Sequence, residues 1–190
     1  MSEQTTPKKK LRQEVAAARN WLIDTIYEKF VGADTMPPIL LIVTKDDVSA
    51  FSPWEIGVSQ GSLYMPVMEA LAKAALQVKG DDVLGFVTAA EAWQAVIPKE
   101  ELKEVDINNL PSASKHPNRK EIIMVRAYDR GGAVEYHIAE VLYEHASDPG
   151  TVGPFDAIEG TVAISRFDPF GVMEGFDLAS NIDGLIAREE

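Results

Sequence analysis

From Leu11 to Phe30 the apolar positions fall at Leu11, Val15, Ala18, Leu22, Ile26 and Phe30. Steps of three and four draw one stripe along a helix, with Arg12, Arg19, Asp24 and Glu28 off it. The spacing predicts an amphipathic helix over 9–30. Its basic start opposes the helix dipole and frays the first turn, and Gly32 and Pro37-Pro38 stop it. Ile39-Leu40-Leu41-Ile42-Val43 is a continuous apolar run bounded by prolines and by Asp46-Asp47, which suits a strand buried on both faces. Residues 44–64 carry Phe51, Pro53, Trp54, Gly57, Gly61 and Tyr64 without a clean period. A connection that long inside a compact domain is either functional or hides an unread element. Pro66 then opens a second helix over 66–79, with a stripe of Val67, Met68, Leu71, Ala75, Leu76 and Val78 and with Gly80 placed to end it.

The second half reads as strands. Residues 83–87 form one. Thr88-Ala89-Ala90-Glu91 is a capping-box pattern that predicts a helix through Trp93 to Ile97, stopped by Pro98; a strand continuing to Trp93 is the alternative. Residues 98–120 read as loop, with room for one helical turn at 100–104. Residues 121–128 form a strand, Asp129-Arg130-Gly131-Gly132 a tight turn, and 133–143 its partner strand, although Val134, Ile138, Val141, Leu142 and His145 also fit a helical stripe. Residues 146–160 are loop, and 161–167 are a last short strand. The resulting fold class is α+β: a single domain over 9–170 with a mixed or mainly antiparallel sheet of four or five strands, covered by two amphipathic helices. A flexible basic tail, 1–8, precedes it. An acidic C-terminal extension, 171–190, packs on the domain or is disordered. The tight turn between the later strands is not the crossover of a doubly wound nucleotide binder.

Composition supports a globular chain: 46% of the 190 residues are hydrophobic and 25% are charged. With no cysteine there is no disulfide, thiolate metal site or cysteine nucleophile. The formal net charge of −12 disfavours nucleic acid and anionic membrane as partners. Lys8, Lys9, Lys10 and Arg12 stand against Glu3 alone at the start, a basic end that reads as solvated terminus. No apolar segment there resembles a secretory signal, and no run approaches a membrane span, so a reducing cytoplasmic location is expected.

Candidate chemistry is sparse. Gly57-Val58-Ser59-Gln60-Gly61 matches the nucleophile elbow, and His116, His137 and His145 follow in the order a triad needs. The preceding Pro53-Trp54-Glu55-Ile56 is a poor central strand, so a glycine-rich surface loop is the better reading. The histidines lack the helical i,i+4 spacing of a zinc site. His137-x-x-Glu140 lacks the companions of a di-iron bundle. Glu135 and His137 share one strand face and Glu140 takes the other, and His137 reads instead as a half-buried cross-strand residue paired with a carboxylate. Asp46-Asp47 follow a strand end, where open α/β sheets hold metal or phosphate. Asp81-Asp82 read as a helix-to-strand turn. Neither a P-loop nor G-x-G-x-x-G is present, so no cofactor is expected.

The densest polar cluster is His116-Pro117-Asn118-Arg119-Lys120-Glu121. Arg119 can clamp a carboxylate or phosphate, and Glu121 shares its face if both are extended. This corner is either an anion-binding or catalytic site, with Glu91 or Trp93, or a salt bridge that pins the strand. Ala90-Glu91-Ala92-Trp93, the His116-Pro117-x-Arg119-x-Glu121 pattern (Ala113 in place of an expected serine) and a strand ending Tyr128-Asp129-Arg130-Gly131 resemble a group of uncharacterised bacterial or phage proteins over residues 83–132. The resemblance carries no activity. It implies a strand through Trp93.

Two functional classes follow. One is an intracellular non-catalytic binding or assembly protein, with Phe51, Trp54, Tyr64, His116 and Arg119 as contact residues and a protein or a second copy as partner. The other is a hydrolase-like enzyme drawing on Asp46, Asp47, Glu91, Arg119, Glu121 and His137, with or without a metal. A third reading, an acidic mimic of nucleic acid, needs its carboxylates in a duplex-like stripe.

Overall fold

A computed structural model describes residues 9–30, 35–58, 61–95, 118–143 and 150–157. The architecture is α+β, with two long helices and an antiparallel sheet. In chain order the elements are α1 (Gln13–Lys29), β1 (Ile39–Thr44), β2 (Val48–Phe51), a 3-10 turn at Pro53–Ile56, α2 (Gly61–Lys79), a second 3-10 turn at Gly80–Asp82, β3 (Val83–Ala95), β4 (Arg119–Asp129), β5 (Val134–Leu142), β6 (Thr151–Val152) and β7 (Asp156–Ala157). The strand order is β2-β1-β3-β4-β5, and both β6 and β7 pair with β5.

The apolar run at 39–43 lies on both sides of this sheet, as its lack of alternation requires. Leu41 and Val43 pack with Val15, Ala18, Leu22 and Ile26 of α1. Leu40 and Ile42 point the other way, onto Met68 and Ala72 of α2. The two helices therefore cover opposite faces of one sheet. On the α1 side, Gly85 is required by close approach: a Cβ there would meet the Tyr128 carbonyl and lie 2.6 Å from Val15 Cγ2.

Several expectations change. Seven strands are present among the described residues, against four or five expected. The extra ones come from the aperiodic 44–64 stretch, which holds β2 and a 3-10 turn, and from two-residue pairings on β5. The helix expected at 88–97 is the second half of β3. Its register with β4 runs unbroken from Gly85↔Asp129 to Ala95↔Arg119. Eleven cross-strand pairs outweigh the helix preference of an alanine-rich stretch and its capping-box pattern. The partner arm 134–142 is strand throughout, not helix.

Helix α1 begins at Gln13 rather than near residue 9. Arg12 has extended backbone and makes no side-chain cap; its N–H donates instead to the buried Asp129 carboxylate at 2.8 Å. Helix α2 starts at Gly61, a turn ahead of Pro66. Asp81-Asp82 lie in the helix-to-strand turn as expected. The strand expected at 161–167, the tail 1–8 and the extension 171–190 lie outside the described residues.

Candidate functional site

The expected polar site divides between two ends of the sheet. Antiparallel register sets Trp93 opposite Glu121 and Glu91 opposite Ile123. Alternation then places Glu91, Trp93, Arg119 and Glu121 on the α1 face, since Ile123 and Val125 of the same strand are in the α1 core. Glu91 is partly buried and accepts the Met36 N–H at 2.5 Å. Burial raises its pKa, the Met36 bond opposes that shift, and the nearby Glu121 adds to it. Glu121 accepts the Tyr143 hydroxyl at 2.6 Å. That hydrogen bond, with desolvation behind it, pushes the Tyr143 phenol up to about 12. The Arg119 guanidinium lies 5.2 Å from the centroid of the Trp93 ring, a cation–π arrangement. Arg119 and Glu121 thus share a face, as two extended residues two apart do, and each has its own partner there, Trp93 and Tyr143. Tyr143 is the member that sequence spacing missed, because only the β4–β5 pairing brings it across.

His137 lies two positions from Glu135 on the same face of β5, as the alternation of a strand predicts. Its Nε2 is 3.7 Å from Glu135 Oε2, beyond hydrogen-bond reach, and has no hydrogen-bond partner among the described residues. Glu135 is held by Arg19 of α1 in a salt bridge. Burial first, and the Arg19 charge second, lower the His137 pKa. His137 is therefore part of the contact between α1 and the sheet. Asp46 and Asp47 are at the opposite end, in the β1–β2 turn, where Thr44 N–H donates to the Asp47 carbonyl at 2.8 Å. Among the described residues, no three His, Asp or Glu side chains come together as a metal site. His116, His145 and Ser59 lie outside the described residues; Gly57 ends the 3-10 turn and Gly61 opens α2.

The aromatic candidates do converge. Ser52-Pro53-Trp54-Glu55 forms a capping box. The Ser52 hydroxyl accepts the Trp54 N–H at 3.3 Å, and the Glu55 carboxylate accepts the Ser52 N–H at 3.3 Å. Pro53 is buried at the first helical position. This short turn holds Trp54 so that its indole N–H donates to the Tyr64 hydroxyl at 2.7 Å. The two rings, with Gly57 and Val58, line an open hollow of about 210 Å3. Gly57 has φ 79° there, a left-handed conformation that glycine adopts without strain. Phe51 is 39% exposed, Trp54 42%, Ile56 62% and Leu63 45%. Ile56 and Leu63 are further members of this corner. The Ser-x-x-Glu signature followed by Ile56 was the signal for the first of them.

No family model matches the chain, and neither a curated protein nor a solved structure matches it. No helix among the described residues is long and apolar enough to cross a membrane.

Proposed function

We propose that the chain is a non-catalytic binding or assembly protein whose contact surface is the corner made by β2, the Pro53–Ile56 turn and the start of α2. The observation that supports this is the group of large apolar side chains left in solvent there, Phe51, Trp54, Ile56 and Leu63, on a chain of net charge −12. Clustered exposed apolar groups mark interaction surfaces, and aromatic anchors held rigid by hydrogen bonds carry binding energy at low entropic cost. Trp54 and Tyr64 are held in this way.

The hydrolase-like reading has one observation in its favour: Glu91, shifted toward its protonated form, shares a face with Glu121. Of the remaining members of that group, Arg119 shares that face and stacks on Trp93, Asp46 and Asp47 are at the other end of the sheet, and His137 stands beside the Glu135–Arg19 pair, so among the described residues the histidine and the other acids that this reading needs do not join the pair.

Immobilised wild-type protein and a Trp54→Ala/Ile56→Asp variant, both exposed to extract of the native host, test the reading. The variant keeps its melting temperature within about 3 °C, because neither side chain is core, and it loses the captured protein. Equal capture by both forms contradicts the proposal, and so does a large fall in melting temperature.

A further inference from the structure

The same corner ends in an open sheet edge. Among the described residues, β2 has one neighbour, β1, with Leu40↔Phe51, Leu41↔Ala50, Ile42↔Ser49 and Val43↔Val48 in register. The Thr44–Asp47 bond closes the turn. Antiparallel ladders alternate from such a closing pair, so Ser49 and Phe51 direct their backbone groups to β1, and Val48 and Ala50 direct theirs outward. Both Val48 and Ala50 are exposed. An edge of this kind is a template for one more strand.

Charge selects the occupant. At the turn end of β2, Lys45 is engaged by Asp82 at 2.8 Å and Arg130 by Asp81 at 2.6 Å. Asp46 and Asp47 are exposed beside them and make no salt bridge among the described residues. At the other end stands Glu55, whose carboxylate takes the Ser52 N–H. Between these acids, residues 48–54 carry no charge. A second copy pairing antiparallel through β2 would set its acidic turn beside this Glu55, like charge against like. A strand with basic ends meets carboxylates at both ends instead.

We propose that the β2 edge accepts an extended segment of a partner protein, alternately apolar and ended by Lys or Arg, as an added antiparallel or parallel strand. Its backbone bonds to Val48 and Ala50, and an apolar side chain near the Ser52 end seats in the hollow between Trp54 and Tyr64. This rests on the reading of the corner as a contact surface and adds the mode and the chemistry of the partner.

The probe is a capped peptide, Lys-Leu-Thr-Val-Thr-Leu-Lys, whose symmetric sequence serves either strand direction, with a Glu-ended counterpart as control. Binding to the full chain is followed by fluorescence anisotropy, and residue-resolved amide exchange is measured with and without peptide. The Lys-ended peptide binds saturably and the Glu-ended one at least about tenfold more weakly at low salt. The Val48 and Ala50 amides exchange freely without peptide and become protected with it. Ala50→Pro, which removes only an outward N–H, abolishes binding. Equal affinity for both peptides overturns the proposal. So does the absence of saturable binding below about 1 mM, protection elsewhere than β2, or a dimer formed through β2 in light scattering. If host-partner capture still depends on Trp54 while the Val48 and Ala50 amides are unmoved by the captured partner, strand addition fails and the contact surface stands.

Discussion

Asp129 is 3% exposed, and its carboxylate accepts the Arg12 N–H at 2.8 Å and the Gly131 N–H at 2.5 Å. One side chain thus closes the β4–β5 turn and caps the start of α1 across 117 residues. Replacing it by alanine leaves two backbone donors without that acceptor. Asp129→Ala is expected to cost about 2–4 kcal/mol in urea unfolding; a change below about 0.5 kcal/mol would show that water satisfies those donors. His137 is the second informative residue. Its folded pKa is lowered from the ordinary 6.5 by burial and by Arg19, with Glu135 opposing. A lowered folded value means that the unfolded chain binds the proton first, so stability is full above 6.5 and is lost as pH falls through the folded value. Unfolding free energy is expected to decline with acidification just below 6.5, and His137→Leu to flatten that part of the profile. An unchanged slope in the variant would assign the decline to other groups. Glu91 has the opposite sign. Its raised pKa gives stability that is present below 4.5 and lost as pH rises through the folded value. Glu91→Gln keeps an acceptor for the Met36 N–H and removes the buried charge, so its stability at pH 7 is expected to equal or exceed that of wild type in thermal melts. A clear loss would mean that the ionised form is needed for the Met36 contact.

At the scale of elements, a tight joint lies where α1 crosses β3 at Gly85. Gly85→Val forces Val15 and the Tyr128 carbonyl apart and is expected to cost about 3 kcal/mol in denaturant unfolding, with α1 the first segment to lose amide protection. Retained protection in α1 would place the strain in β3 instead. The sequence makes some of these elements plain and hides others for physical reasons. The stripe from Val15 to Phe30 and the run at 39–43 declare themselves because burial on one face or both leaves a direct pattern. The strand at 88–95 is concealed, since Ala, Glu and Gln favour helix locally and it is pairing with distant segments, 119–126 along its length and 39–40 at its start, that holds them extended. The β2 edge is concealed for the reverse reason: a half-exposed strand of four residues has too few buried positions to show a period. Site legibility followed the same logic. Glu91, Trp93, Arg119 and Glu121 share a face because their strands pair, but Tyr143 joins them only through a third strand. Phe51, Trp54 and Tyr64 are visible as aromatics in an aperiodic stretch, while the bond that joins Trp54 to Tyr64 needs α2 to begin a turn before Pro66.

At the scale of the whole molecule, one sheet with a helix on each face presents, among the described residues, two surfaces of different character. Among the described residues, the end bearing Glu91, Glu121 and Tyr143 mixes the exposed rings of Trp93 and Tyr143 with carboxylates that are engaged by Met36 and Tyr143. The β2 corner gathers Phe51, Trp54, Ile56 and Leu63, carries an edge that is open among the described residues, and is bordered by carboxylates. A partner is expected to choose the second. The deuterium-uptake map of the full chain, alone and with a protein captured on it from host extract, tests this most directly. Protection concentrated in residues 48–58 and 61–64, with 91–93 and 119–121 unaltered, is the expected result. Protection of the Glu91–Glu121–Tyr143 face with the β2 corner unaltered would contradict it.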